Sequence, residues 1–323
     1  MTSCRFAAVA LAGALTAIGA AAQQPIPSAS LPNPYRLVEG WAKLPDGRTW
    51  GAPAAVDIDP DGRSLWVFER CGKNSCADSP LAPVLKFDAS GTLVRSFAAG
   101  QFLFPHGLAV DRDGNLWLAD GQGASGKGHQ VFKYAPDGRL LLTLGKAGVA
   151  GEGPDTFNMP ADIAVAPNGD VFVSDGHNPL DTNMRIMKFS STGVFIKSWG
   201  RKGSAPGDLN DPHSIAFDSK GRLFVADRLN DRIQIFDQDG RVLDVWKQFG
   251  RPSGLFIGKD DTIYVADQQA GIRIGSAVDG SLKAFIKAPA GATRVAESVA
   301  VDAAGNIYGG ENGAMKLMKY VKN

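Results

Sequence analysis

The sequence lacks several features that would point at once to a class of protein. Its 34 basic and 33 acidic side chains leave a formal net charge of +1, so electrostatics gives no reason to expect nucleic acid or an anionic membrane as a partner. After the N-terminal segment, no apolar stretch is long enough to span a bilayer, and no helical period is sustained. What remains is a chain that is 44% hydrophobic and contains 39 glycines, as expected of a globular fold with many tight turns.

The N-terminal segment has the pattern of a secretory signal peptide. Arg5 provides a positive charge, Phe6–Ile18 a mostly apolar run, and Ala20–Ala22 a small-residue cleavage site. An uncleaved anchor is the alternative, but the apolar run is short for a membrane span. We therefore expect residues 1–22 to be removed and residues 23–323 to form a single domain in the periplasm or outside the cell.

Cysteine is scarce, with three residues in the whole chain. Cys4 lies before the apolar run, and not after it as a lipid-attachment site requires, so lipidation is not expected. The other two, Cys71 and Cys76, are separated by four residues. In an oxidising compartment they are expected to form a local disulfide, since a thiolate metal site would need more cysteines.

One sequence motif recurs along the chain and indicates the architecture. Pro105–Asp111 reads Pro-His-Gly-Leu-Ala-Val-Asp, and Pro212–Asp218 reads Pro-His-Ser-Ile-Ala-Phe-Asp. Each is followed by a glycine turn and by a second apolar run that ends in aspartate. Four weaker copies begin at Pro53, Pro160, Pro252 and Ala296.

Each copy continues into a third and a fourth short run rich in Val, Ile, Phe and Trp, with turn residues between them. Such runs are typical of strands. Four antiparallel strands repeated roughly every 40–55 residues are typical of propeller blades, so the sequence predicts an all-β, six-bladed β-propeller.

The last blade ends before its outer strand, because only three residues follow Tyr320. Tyr35–Trp41, near the other end of the domain, resembles the missing strand. We expect it to pair beside Lys316–Tyr320, to bury Val38 and Trp41, and to close the ring without exposed sheet edges.

The segment Val225–Phe236, Val-Ala-Asp-Arg-Leu-Asn-Asp-Arg-Ile-Gln-Ile-Phe, resembles an NHL repeat, and the resemblance extends over all six blades. It supports the propeller fold. It says little about function, because NHL propellers include enzymes, protein-binding modules and RNA-binding modules.

The residue after each blade's proline marks one ring of positions at the central channel. In blade order these residues are Ala54, His106, Ala161, His213, Ser253 and, after Ala296 in place of proline, Glu297. The metal-competent members His106, His213 and Glu297 come from alternate blades, so we expect them to converge as a three-ligand divalent site with an open position. The alternative is that both histidines are hydrogen-bonded structural residues.

The loops on the same face are expected to bring Arg70, His177 and Arg228 to the site. Arg228 could be an ordinary polar residue at a strand end, and His177 could simply cap a loop. His129 is expected to serve the sheet. The strand-end acids recur too regularly to form a site and should accept loop N–H bonds; they are Asp120, Asp175, Asp227 and Asp267.

Together these motifs resemble the peptidyl-α-hydroxyglycine α-amidating lyases, a family of secreted six-bladed propellers. Pro105–Asp111 matches the family's first zinc motif, with His129–Lys133 downstream of it. Pro212-His213 matches the second motif, and Arg228 and Arg70 match active-site arginines. The resemblance covers roughly residues 50–320. It implies zinc on His106 and His213, with Arg70 and Arg228 at the anionic part of the substrate.

The sequence departs from this family at three positions. Glu297 replaces the third zinc histidine, Ser298 replaces an aspartate that binds structural calcium, and His177 replaces the catalytic tyrosine. Zinc is bound by His-His-Glu sets in other enzymes, and histidine can act as a general base near neutral pH. Metal chemistry is therefore compatible with the changes, whereas the structural calcium site loses one ligand and the amidating reaction loses its tyrosine.

Two hypotheses follow from the sequence. The first is an exported lyase or hydrolase that uses zinc or another divalent metal on His106, His213 and Glu297, with His177 moving a proton and Arg70 and Arg228 holding an anion. The second is a non-catalytic propeller that binds a peptide, a glycan or a protein partner. In either case we expect a monomer without a nucleic-acid partner or a membrane span, and for the enzyme a small or peptidyl substrate.

Overall fold

The computed structural model describes residues 30–177, 183–288 and 296–323, which form six antiparallel four-stranded sheets. Blade one contains β2 (Pro53–Ile58), β3 (Leu65–Glu69), β4 (Val84–Phe87) and β5 (Leu93–Phe97). Blade two contains β6 (Pro105–Val110), β7 (Leu116–Ala124), β8 (Lys127–Tyr134) and β9 (Leu140–Leu144). Blade three contains β10 (Pro160–Val165), β11 (Val171–Asp175), β12 (Arg185–Phe189) and β13 (Phe195–Trp199).

Blade four contains β14 (Pro212–Phe217), β15 (Leu223–Asp227), β16 (Arg232–Phe236) and β17 (Val242–Trp246), with a 3-10 turn at Arg228–Asn230. Blade five contains β18 (Pro252–Ile257), β19 (Thr262–Asp267), β20 (Gly271–Ser276) and β21 (Leu282–Lys287). Blade six contains β22 (Ser298–Val301), β23 (Ile307–Glu311), β24 (Lys316–Lys322) and β1 (Tyr35–Val38). The predicted all-β, six-bladed propeller is confirmed.

Burial explains the strand composition of each blade. The second strand of blades one, three and four is buried along its whole length, whereas an outer strand such as β13 alternates between half-buried and exposed residues. Inner strands are covered by the neighbouring blades on both faces, and outer strands have one side in water. The core consists of six apolar clusters, each shared by two adjacent blades.

The expected ring closure is also confirmed. β1 pairs antiparallel with β24, with Tyr35 opposite Lys322 and Val38 opposite Lys319. The burial expected there was wrong in detail, because Tyr35 is the buried residue of this strand, at 6% exposure, while Val38 is half-buried.

Trp41 was expected to be buried in this strand, but the chain turns after Val38, with Gly40 at φ 63°, and leaves the sheet. The half-buried indole packs instead against Tyr308, with ring centroids 4.9 Å apart, and against Phe87 at 6.2 Å. Trp41 therefore covers the junction of blades six and one.

The smaller structural predictions also have outcomes. Cys71 and Cys76 form the expected disulfide. The strand-end acids accept loop N–H groups as expected; for example, Asp120 accepts from Leu103 and Phe104 at 2.9 and 2.6 Å. Among the described residues, no helix is long and apolar enough to cross a membrane. The predicted signal peptide lies outside the described part of the chain.

Candidate functional site

A backbone irregularity at the start of each proline-initiated inner strand turns a side chain out of the sheet. Pro105 pairs with Asp120 and Pro212 with Asp227, but the register shifts directly after each proline. A β-bulge of this kind re-aims the unpaired residue. His106 and His213 are among these unpaired residues, so the Pro-His motif places an imidazole at the same point of blades two and four.

Backbone carbonyls of the next blade fix both imidazoles. Nδ1 of His106 lies 2.8 Å from the Ala161 carbonyl oxygen, and Nδ1 of His213 lies 2.9 Å from that of Ser253. Because a carbonyl only accepts, each Nδ1 carries a proton, and Nε2 is the nitrogen of each ring that remains for the site. Nε2 of His106 is buried and has no hydrogen-bond partner among the described residues.

Gly107 permits this close approach of blades two and three. A Cβ atom on Gly107 would lie 2.4 Å from the Ala161 carbonyl oxygen, the acceptor that orients His106. A side chain here would therefore push the blades apart. The residue after His106 is small for a steric reason that the repeat pattern alone does not show.

His177 follows β11 and completes a cluster of three imidazoles. Its ring centroid lies 4.3 Å from that of His106 and 5.0 Å from that of His213, and the latter two are 4.8 Å apart. One nitrogen of each ring lies within 4.8 Å of the other two. The sequence placed His177 on this face as a proton carrier, and the structure brings it next to the two predicted ligands.

Glu297, the third predicted ligand, contacts the cluster through His213. Its Oε1 lies 3.1 Å from Nε2 of His213 and 3.8 Å from Nη1 of Arg228. Burial opposes ionisation of this carboxyl, but the contact with His213 and the charge of Arg228 outweigh it and hold the pKa of Glu297 well below its ordinary value. Glu297 is therefore a buried carboxylate.

Burial lowers the pKa of His106 well below its ordinary value, and the neighbouring His177, His213 and Arg70 lower it further. Burial also lowers the pKa of His177, although the hydrogen bond to Asp211 opposes this change. Both imidazoles are therefore neutral at pH 7, the form that binds metals and accepts protons.

The two predicted arginines flank the cluster. Arg70 donates from Nε to the Pro105 carbonyl and from Nη1 to Asn74, and its guanidinium carbon stands 3.7 Å from the ring centroid of Phe104. Burial lowers the pKa of Arg70 to about 10, and Arg228 contributes to that shift while Glu297 opposes it. Arg70 thus remains a cation at neutral pH, held in one orientation.

An open cavity of about 570 Å³ adjoins the cluster through His177. It is also lined by Arg70, Phe104, Arg228 and Glu297 and by Arg251, Gln268, Asn312 and Met315. The volume suits a small molecule or the end of a peptide. His129, expected to serve the sheet, lies in β8 and accepts the N–H of Met159 at 3.2 Å.

Sequence reasoning missed Asp211. This residue is 1% exposed, and its carboxylate contacts both His177, at 3.1 Å, and Arg228, at 2.7 Å. The available signal was its position directly before Pro212-His213, where the other proline-initiated blades carry Ala52, Phe104, Met159 and Arg251. An acid at one of five equivalent positions is not required by the repeat.

Comparison with known proteins agrees with this description. The family model of the NHL repeat matches residues 102–134, 157–178 and 209–236. NHL repeat-containing protein 3 of Homo sapiens is 34% identical over 218 residues, which cover 66% of this chain and 59% of that protein. Peptidyl-alpha-hydroxyglycine alpha-amidating lyase 2 of Drosophila melanogaster is 31% identical over 227 residues, 65% of this chain and 52% of the lyase.

The chain thus spans little more than half the length of these two relatives. Among solved structures, a gluconolactonase from Xanthomonas campestris superposes with a TM-score of 0.61 at 19% identity, covering 94% of this chain and 99% of that one. That likeness concerns the fold alone. The chain is a six-bladed β-propeller that contains NHL repeats and is similar in sequence to the peptidyl-α-hydroxyglycine α-amidating lyases.

Proposed function

We propose that the protein is an exported, metal-dependent lyase or hydrolase that acts at the mouth of the channel on a small or peptidyl substrate bearing a carboxylate. Its relatives include amidating lyases, which supports an enzyme of this general kind. The observation that carries the proposal is the pair of acceptor atoms on His213 and Glu297, 3.1 Å apart in a buried site.

The donor set fits a divalent metal such as zinc. His106 and His213 each present Nε2 because Nδ1 is bonded to a carbonyl, which is the usual arrangement of metal-bound histidine. Two ligand atoms on one tetrahedral zinc ion lie about 3.3 Å apart, close to the His213–Glu297 separation. We assign the metal to His106, His213 and Glu297, as the sequence predicts.

The other residues have roles that follow from their positions. A bound divalent ion would polarise a substrate hydroxyl or carbonyl, or activate water. Nε2 of His177 accepts the proton that the substrate or water loses. Arg70 and Arg228 hold the substrate carboxylate or a developing oxyanion by charge-assisted hydrogen bonds.

For a peptidyl-α-hydroxyglycine, the substrate class in the names of the amidating-lyase relatives, the residues account for a complete step. His177 takes the hydroxyl proton, the oxygen forms a carbonyl, the C–N bond breaks with its electron pair on nitrogen, and that nitrogen takes a proton. The products are an amide and an aldehyde acid. No oxidant or other co-reactant is required.

Metal analysis tests the metal binding on which the proposal depends. The protein is purified without a His-tag or chelator, reconstituted with zinc and other divalent ions, and assayed against hydroxyglycine peptides, lactones and esters. We expect about one equivalent of bound metal and turnover of one substrate class. Less than about 0.1 equivalent of every metal after reconstitution would contradict the proposal and favour the non-catalytic, ligand-binding alternative.

A further inference from the structure

Asp211 connects two of the proposed functional side chains through one carboxylate. Its Oδ1 lies 3.1 Å from Nδ1 of His177. Its Oδ2 lies 2.9 Å from Nε and 2.7 Å from Nη2 of Arg228. The three residues come from the loop after β11, the entry to β14 and the turn after β15. They therefore join blade three to blade four at the mouth of the channel.

The chemistry of these groups determines which nitrogen of His177 carries the proton. A guanidinium only donates, so Oδ2 accepts from Arg228. An ionised carboxylate only accepts, so Nδ1 of His177 must donate to Oδ1, because two acceptors at this distance would repel each other. Nη2 of Arg228 is 3.4 Å from the same nitrogen, but its shorter contact is to Asp211.

The carboxylate is held in its ionised form by its surroundings. Arg228 pairs with Oδ2 through two nitrogens, at 2.9 and 2.7 Å, and a guanidinium at this distance favours the charged carboxylate. The backbone of Asp211 is also fixed, with φ 66° and its N–H directed at the Met184 sulfur at 3.0 Å. Its acceptor atoms are therefore in place before any ligand arrives.

We propose that Asp211 is the positioning residue of the site, which holds His177 as the Nδ1–H tautomer with Nε2 free to take a proton and anchors Arg228 on the same carboxylate. The orienting role rests on the geometry of Asp211, and its consequence for turnover rests on the proposed function. In this arrangement the proton carrier and the anion-binding arginine act as one unit.

The substitution Asp211→Asn tests the tautomer directly. Arg228 still needs an oxygen acceptor, so the amide oxygen stays on its side and the NH₂ group faces Nδ1 of His177. That NH₂ is a donor, and Nδ1 must then become an acceptor, which moves the ring proton to Nε2. Asparagine tolerates the left-handed backbone as well as aspartate, so this variant is expected to fold.

The readout is the tautomer of each histidine in the metal-free full-length mature protein, from long-range ¹H–¹⁵N correlation spectra at about pH 8, where neutral imidazole dominates. We expect His177 to be Nδ1–H in the native protein and Nε2–H in Asp211→Asn. His106 should remain Nδ1–H in both, because the Ala161 carbonyl holds it. Asp267→Asn, another buried aspartate paired with an arginine, should leave His177 unchanged.

An Nε2–H form of His177 in the native protein, or an unchanged tautomer in Asp211→Asn, would overturn the inference. This result does not depend on metal or on turnover, so it is separate from a failure of the proposed function. In the active, metal-loaded protein, Asp211→Asn should lower kcat at least about 100-fold with KM changed less than about threefold, as for the orienting aspartate of hydrolytic triads. Asp211→Glu should restore part of kcat, whereas equal activity of Asp211→Asn and the native protein would contradict a positioning role.

Discussion

Nε2 of His213 and Oε1 of Glu297 lie 3.1 Å apart, although the Ser253 carbonyl already accepts the Nδ1 proton of this imidazole. A lone pair and a carboxylate at that distance require a shared cation, either a metal ion or a second proton on the ring. A histidine with a purely structural role would be satisfied by the carbonyl alone and would not face a carboxylate as well.

The first prediction concerns this pair. Glu297→Gln should lower metal affinity at least about 100-fold, because the amide can donate to Nε2 of His213 and satisfy it without a cation. Thermal stability of the metal-free protein should be retained or increased. Metal titration by calorimetry measures the affinity, with Glu311→Gln, a buried carboxylate of the same blade, as the control. Equal affinities in Glu297→Gln and the native protein would remove Glu297 from the metal site.

The second prediction separates ligands from the proton carrier within the histidine cluster. His106→Ala should abolish stoichiometric metal binding, whereas His177→Ala should keep metal affinity within about tenfold and lower kcat by about 10²–10⁴-fold, the usual contribution of general acid–base catalysis. Metal content after dialysis and kcat are measured on the same samples. If His177→Ala loses its metal as completely as His106→Ala, His177 is a ligand and another group moves the proton.

Much of this arrangement could be predicted from the sequence because the repeat carries it. Proline followed by histidine in two copies placed His106 and His213 at equivalent points, and the missing last strand indicated that Tyr35 begins a closing strand. These inferences need only the position of a residue within its blade, which a repeat determines.

The remainder depends on contacts between blades, which a repeat does not encode. Asp211 acquires its role from His177, 34 positions earlier, and from Arg228, 17 positions later. The three-imidazole cluster depends on where the loop after Asp175 places His177. The position of Trp41 depends on a turn at Gly40 that removes it from the strand.

The third prediction concerns the anion. Arg70 uses Nε and Nη1 on Pro105 and Asn74, so the remaining amino group is the one available to a ligand. Arg70→Lys keeps the charge but loses the planar fork, and we expect KM to rise about tenfold for a carboxylate substrate. The amide analogue of that substrate should show the same KM with both proteins. An equal rise in KM for both compounds would mean that Arg70 does not bind the carboxylate.

The fourth prediction concerns stability and pH. Burial raises the pKa of Asp57, at the channel wall, to about 7, and Asp162 contributes, although backbone N–H groups oppose the shift. Between about pH 4 and pH 7 the unfolded state therefore binds fewer protons than the folded state at this residue, so its contribution to stability falls as the pH rises. In Asp57→Asn the loss of unfolding free energy between these pH values should be smaller by about 1–3 kcal/mol, after allowance for partial exposure of the side chain.

Denaturant unfolding of the native protein and of Asp57→Asn at about pH 4.5 and pH 7.5 measures the effect. The free energy of unfolding of the variant minus that of the native protein should be larger at pH 7.5 than at pH 4.5. Asp113→Asn, at an exposed position, serves as the control. A difference between variant and native protein that is the same at both pH values would contradict a raised pKa at Asp57.

The last prediction concerns ring closure and does not depend on function. Deleting residues 23–42 removes β1 and uncovers the edge of β24, a strand that then presents unpaired N–H and C=O groups. It also removes Tyr35, buried against the cluster between blades five and six, and Leu37, packed on the same cluster. Loss of these two side chains alone would cost about 3–6 kcal/mol before entropy is counted.

We therefore expect the truncated protein to melt at least about 10 °C below the mature chain, or to aggregate through the uncovered edge. Scanning calorimetry and light scattering measure the two outcomes. Deleting only residues 23–31 is the matched control, because it keeps β1 and the Pro32 carbonyl that accepts the N–H of Phe285. If deletion of residues 23–42 moves Tm by no more than about two degrees, β1 is not what holds the ring closed.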